Sequence, residues 1–192
     1  MNTDLNWFKS CLQDNILVEK LKKIKLIVTD VDGCLTNGQL FITENGDRIK
    51  GFSVQDGFAT TKALKSDLLI SFLTGRKDNS VKYRAKQLGI PDDLYFEGFC
   101  DGKKEIIKQI QKNKNISKEQ TILFGDDFLD IECKDEVGIF ASPQNSLFYV
   151  ASQADLIIPK QGGFGAFRLL LDLILFIQEK HFASLFINKT IK

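Results

Sequence analysis

Short apolar runs recur along the chain, and each stops at polar, turn-forming residues. Residues 24–29 (IKLIVT) have the branched, unbroken character of a buried strand and stop at Asp30-Val31-Asp32-Gly33. Residues 68–73 (LLISFL) stop at Thr74-Gly75-Arg76, and 121–124 (TILF) stop at Gly125-Asp126-Asp127. Further strands are predicted at 94–96, 137–141 and 156–158. Helical periodicity fills the gaps, at about 58–66, 79–88, 103–111, 128–136, 145–151 and 164–179. Such alternation predicts an α/β fold, a parallel sheet with helices on both faces. Residues 38–54 break the pattern. Two apolar runs flank Thr43-Glu44-Asn45-Gly46-Asp47, so a β-hairpin is expected just after the first strand. Residues 1–22 read as one leading helix, and 179–192 as a C-terminal tail.

A chain of 192 residues with no linker rich in Pro, Gly or Ser is expected to form a single domain over 1–192. The formal charge of +1 argues against a surface built to follow a nucleic-acid backbone. The longest apolar stretch, 169–177, is interrupted by Asp172 and is too short for a membrane span. Cys11, Cys34, Cys100 and Cys133 form no close pair, and Asp4 precedes any apolar run, so a reduced, cytoplasmic protein is expected. The one histidine, His181, lies near the C-terminus, which leaves little room for a histidine triad or a multi-histidine metal site. Catalysis would have to come from carboxylates, lysine, hydroxyls and backbone.

Four places could supply it. Asp30 and Asp32 are two apart on an extended chain, so their side chains share one face. Asp126, Asp127 and Asp130 follow another strand end. One helix cap explains one of these three carboxylates, not all of them. An acidic cluster without histidine suits Mg²⁺, which takes carboxylates, water and phosphate oxygens. Thr74-Gly75-Arg76 offers a hydroxyl and a guanidinium for an anion. Lys103 or Lys104 could balance the acidic charge and grip phosphate. Each element alone is also met as a solvated turn, a helix cap or a surface lysine.

Taken in order, Asp-x-Asp-Gly, Thr-Gly-Arg, Lys and Gly-Asp-Asp form a far more specific series. The chain resembles the haloacid dehalogenase superfamily of phosphatases over about residues 24–177. With Asp30-Val31-Asp32-Gly33-Cys34-Leu35-Thr36, the hairpin, Val54-Gln55-Asp56-Gly57, Arg84-Ala85 and Gly162-Gly163-Phe164-Gly165-Ala166, it is similar to the small capless subfamily that includes 3-deoxy-manno-octulosonate 8-phosphate phosphatases. The resemblance implies a Rossmann-like sheet and hydrolysis of a small sugar-acid phosphate, within lipopolysaccharide precursor synthesis, through an aspartyl phosphate. Asp30 would be the nucleophile and Asp32 the general acid and base. Thr74 and Lys103 would hold phosphoryl oxygens. Mg²⁺ would sit on Asp30, the backbone carbonyl of Asp32, and Asp126, with Asp127 and Asp130 around it. Ser53, Val54, Gln55, Asp56, Gly57, Thr61, Arg76 and Arg84 would meet the sugar acid, together with Lys103. Assembly as a homotetramer is implied, with one subunit's hairpin over a neighbour's site. Gln55 stands where octulosonate phosphatases usually carry Arg, and Phe164 where several relatives are polar. A nonulosonate 9-phosphate is therefore the alternative substrate, and a non-catalytic oligomerisation or regulatory domain the alternative role.

Overall fold

The computed structural model describes residues 3–191. The chain begins with α1 (Thr3–Gln13), α2 (Asn15–Lys22) and β1 (Leu26–Thr29), followed by a hairpin of β2 (Phe41–Ile42) and β3 (Arg48–Ile49). Then come α3 (Val54–Leu64), β4 (Leu69–Thr74), α4 (Asn79–Leu88), β5 (Tyr95–Glu97), α5 (Lys103–Lys114) and β6 (Thr121–Phe124). The remainder is α6 (Phe128–Ile131), β7 (Ile139–Pro143), α7 (Phe148–Ala151), β8 (Leu156–Ile158), α8 (Ala166–Ile177) and α9 (Ser184–Ile191).

Six strands form one parallel sheet in the order β5-β4-β1-β6-β7-β8. Every residue of β1 is buried, as its unbroken apolar run requires of a central strand. From β1 the chain steps outward one way through α3 and α4, then returns through α5 and steps the other way through α6 and α7. Right-handed crossovers place those two groups of helices on opposite faces. The helix α8 packs against α3, and Phe176 of α8 meets Phe8 of α1 edge-on at 5.5 Å. Phe72, Phe124, Phe140 and Phe167 are fully buried in the core, each contributing roughly 1.5–3 kcal/mol. Thr29 pairs with Phe72 on one side and Phe124 on the other, so β1 and β6 end level and β4 runs on to Thr74. The direction of connection reverses at β1, so a crevice opens beyond its carboxyl end.

Several expected boundaries shift. The leading helix is two helices, because Asp14 caps α2 by accepting the Leu17 N–H at 3.0 Å; residues 1 and 2 lie outside the described residues. The hairpin is short and forms its own two-stranded sheet, not an extension of the main one. Its second apolar run stops pairing at Ile49, because Ser53 accepts the Asp56 N–H at 3.3 Å and starts α3 ahead of the expected position 58. The helix expected over 128–136 breaks after Ile131, and a 3₁₀ turn covers Lys134–Glu136. The tail folds into α9 instead of prolonging α8. His181 is buried at the turn, accepting the Ala183 N–H on Nδ1 at 2.9 Å and meeting Asp172 through Nε2 at 3.0 Å. Among the described residues no helix is long and apolar enough to cross a membrane.

Candidate active site

The crevice beyond β1 is lined by the loop 30–36. Alternation sends Val31 into the core, fully buried, and leaves Asp30 and Asp32 facing the crevice. The loop then tightens as Leu35 and Thr36 both donate N–H groups to the Val31 carbonyl. Gly33 has φ +91°, and a Cβ there would lie 2.0 Å from Asp126 Oδ2. No other residue lets the two acidic loops approach so closely. From the far side Asn145 clamps the loop. Its Nδ2 donates to the Gly33 carbonyl at 3.0 Å, and its Oδ1 accepts the Gly162 N–H at 2.6 Å. Sequence reasoning did not single out Asn145; its only local signal is a turn-forming residue after β7.

Lys103 is the first residue of α5, and its side chain is buried between two carboxylates. Its Nζ lies 2.6 Å from Asp30 Oδ1 and 2.8 Å from Asp130 Oδ1. Burial alone would lower this lysine's pKa, but Asp30 and Asp130 outweigh it and hold the ammonium charged well above its ordinary range. Lys104 points elsewhere, to Glu136 at 3.1 Å, so Lys103 is the lysine of the crevice. The second oxygen of Asp130 accepts the N–H groups of Asp126 and Asp127 at 3.0 and 3.2 Å. Asp130 thereby fixes both the lysine and the loop that carries Asp126. Asp127 is exposed and caps α6 by accepting the Phe128 N–H at 2.6 Å, so its side chain is committed away from the acidic cluster.

Asp30, Asp126 and Cys34 bring one donor atom each within 4.8 Å of one another. Burial pushes the Asp30 carboxyl up to about 7, despite Lys103, with Asp130 and Asp32 adding repulsion. Burial likewise pushes Asp126 up to about 8, helped by Asp30 and Asp130. Two buried carboxylates this close need a proton or a cation between them. Burial also holds the Cys34 thiol protonated, and its Sγ donates toward Asp126 Oδ1 at 3.5 Å. The donor set that remains is oxygen, which suits Mg²⁺. The Asp32 carboxylate leaves this cluster and meets Lys50 Nζ, at the foot of the hairpin, at 2.7 and 2.9 Å.

Of the residues expected to meet substrate, some are exposed and others are engaged within the fold. Thr74 is buried at the end of β4, with its Oγ1 accepting the Arg76 N–H at 3.4 Å. Val54, Gln55 and Arg76 are exposed. Ser53 caps α3, and Thr61 donates to the Phe58 carbonyl of its own helix. Asp56 is turned inward, where its Oδ1 accepts the Arg168 N–H of α8 at 2.7 Å; burial pushes its carboxyl up to about 6. Arg84 is folded against Gly57, donating to the Ser53 carbonyl at 3.2 Å and to Gln87 at 2.6 Å. A Cβ on Gly57 would lie 2.2 Å from that guanidinium. Asp56, Gly57 and Arg84 are thus engaged within this chain, Asp56 with α8 and Arg84 with the start of α3.

No protein-family model matches the sequence. The chain is 35% identical over 162 residues to the 3-deoxy-D-manno-octulosonate 8-phosphate phosphatase of Haemophilus influenzae, covering 84% of this chain and 88% of that one. The crystal structure of the enzyme of that name from Moraxella catarrhalis, in complex with magnesium ion, phosphate ion and KDO, superimposes with a TM-score of 0.84 at 33% identity. That match covers 92% of this chain and 99% of the other. A putative haloacid dehalogenase superfamily (subfamily III A) hydrolase from Legionella pneumophila matches with a TM-score of 0.85 at 31% identity, covering 94% and 98%.

Proposed function

Because the chain belongs to the 3-deoxy-D-manno-octulosonate 8-phosphate phosphatase family of the haloacid dehalogenase superfamily, we propose that it is a Mg²⁺-dependent phosphatase that hydrolyses that sugar-acid phosphate to the free sugar acid and phosphate. The observation that carries this reading is the buried Lys103 ammonium bridging Asp30 and Asp130 beside Asp126, at the carboxyl end of the central strand.

Asp30 attacks phosphorus, the ester oxygen leaves, and an aspartyl phosphate forms. Asp32 gives its proton to the departing alkoxide, then takes one from the water that attacks the phosphoenzyme. A covalent carboxylate divides one hard displacement into two easier ones. Lys103 and the Thr74 hydroxyl, whose oxygen already accepts the Arg76 N–H and so aims its proton elsewhere, hold phosphoryl oxygens. Asp30, Asp126 and the Asp32 carbonyl would hold Mg²⁺, which supplies charge neutralisation for the nucleophile and the phosphoryl group. Arg76, exposed beyond the end of β4, offers a guanidinium to a substrate carboxylate.

The working unit is a homotetramer located in the cytoplasm. Phe41, Ile42 and Ile49 are 59%, 66% and 56% exposed on a hairpin too small to be stable by itself, which favours cover by other copies of the chain. Phe41→Glu should reduce the mass seen by light scattering, whereas an unchanged mass returns the hairpin to the monomer. The reaction is tested by phosphate release from 3-deoxy-D-manno-octulosonate 8-phosphate with Mg²⁺. Rapid turnover that stops in chelator is expected. Faster turnover of a nonulosonate 9-phosphate would move the substrate, and no turnover of any sugar phosphate would leave a non-catalytic domain.

A further inference from the structure

The crevice holds two buried ammonium groups, and they divide the carboxylates between them. Lys103 takes Asp30 and Asp130. Lys50 takes Asp32 and Asp78. Lys50 follows Ile49, which is more than half exposed, yet its own side chain is only 2% exposed. Burying an ammonium costs several kcal/mol unless its partners have good geometry. Here Nζ spans both oxygens of Asp32, at 2.7 and 2.9 Å, and lies 3.2 Å from Asp78 Oδ2. Asp78 is itself fixed. It is the N-cap of α4, and its Oδ1 accepts the Ser80 N–H at 3.0 Å and the Ser80 hydroxyl at 2.7 Å. Its Oδ2 has no other partner among the described residues, so it is free to serve Lys50. The chain of support runs from a rigid helix end through Asp78 and Lys50 to Asp32, whose side chain remains 33% exposed toward the crevice.

We propose that Lys50 is the positioning residue for the general acid: anchored on Asp78, it holds the Asp32 carboxyl group aimed at the ester oxygen of the substrate. This rests on the phosphatase reading above. A side chain with free rotation spends little time in the one orientation that reaches the leaving oxygen, and small displacements from that geometry are costly in rate. The hairpin is thereby tied to the chemistry within its own chain, through its last residue, whatever its apolar tip packs against.

The test compares two phosphate esters on the full chain with Mg²⁺. An alkyl or sugar phosphate has a poor leaving group and needs the acid, whereas p-nitrophenyl phosphate has a good one and hardly needs it. Lys50→Met should lose about 100-fold in kcat/KM on the sugar phosphate, at the lower end of what general acid catalysis supplies, and less than about fivefold in kcat/KM on p-nitrophenyl phosphate, since kcat/KM reads only the steps through departure of the leaving group and not the phosphoenzyme hydrolysis that both esters share. Lys50→Arg should recover part of the loss. Asp78→Asn, which keeps an oxygen for Ser80, should show a smaller loss with the same preference for the good leaving group, and it covers the case in which Lys50→Met does not fold. Equal losses of kcat/KM on both esters, or none, would overturn the role of Lys50 while leaving the phosphatase reading intact. A wild-type chain that cleaves neither ester would overturn both.

Discussion

Stripped of divalent cations, the acidic crevice should make the protein less stable as pH rises through neutrality. Asp30 is held up to about 7 in the folded chain, first by burial, from an ordinary value of 3.8. A carboxyl group raised on folding stabilises the fold while both states are protonated, and that contribution is lost as pH climbs from the unfolded value to the folded one. A gap of about three pH units, at about 1.4 kcal/mol each, is roughly 4 kcal/mol. Asp126, pushed up to about 8, titrates in the same space, so one proton relieves much of the repulsion on both. The single-site figure is therefore the one to expect, not the sum. Part of it has already gone by pH 5. Between pH 5 and pH 8.5 about 3 kcal/mol remains to be lost, which for a chain of this size is roughly 6–12 °C in Tm.

Calorimetry in chelator across that range reads the effect directly. Mg²⁺ at pH 8 should restore the lost stability, since it binds the ionised carboxylates of the folded chain and has no such site in the unfolded one. Asp126→Asn separates repulsion from general pH effects. It should raise the cation-free Tm at pH 8 while abolishing the response to Mg²⁺. A cation-free Tm that is flat from pH 5 to 8.5, or an Asp126→Asn variant that matches wild type in both respects, would refute the electrostatic account of the crevice.

Asp30→Asn should lower kcat on the order of 10⁴-fold or more with no loss of Tm, since it removes the nucleophile together with one source of repulsion; a loss below tenfold would rule out the covalent step. Gly33→Ala forces a side chain into φ +91° and against Asp126 Oδ2. It should cost about 1–3 kcal/mol in urea denaturation and weaken Mg²⁺ binding in a calorimetric titration, whereas unchanged binding would mean the two loops need not meet so closely. Asp56→Ala should remove a cap from α8 and cost about 1–2 kcal/mol, with KM for the sugar phosphate nearly unchanged. A tenfold rise in KM at constant stability would return Asp56 to the substrate.

The carboxylates of the crevice were legible because a parallel sheet sends its ligand-facing residues to the carboxyl ends of its strands, and here the apolar runs stop abruptly at acidic, turn-forming residues. Asp30, Thr74 and Asp126 needed only that rule, and the level ends of β1 and β6 then bring Asp30 and Asp126 together. The lysine was half legible. Charge balance asked for an ammonium near the acids but could not separate Lys103 from Lys104, whose side chains are sorted in the structure by Asp130 and Glu136. Lys50 was not legible at all. It lies 18 residues from Asp32, across a hairpin whose neighbouring positions are exposed, and an alternating pattern would assign it to the solvent side. Asp78 hid for the opposite reason: Asp78-Asn79-Ser80 is a complete local explanation, a helix cap, and only one of its two oxygens is used by it. Asp56 shows the same limit from the other direction. Its place in a motif suggests the substrate, yet its carboxylate is taken by a backbone N–H 112 residues away. A motif records which residue types a site requires, whereas the partner each charged side chain finally takes is decided by which competing donor the fold buries beside it.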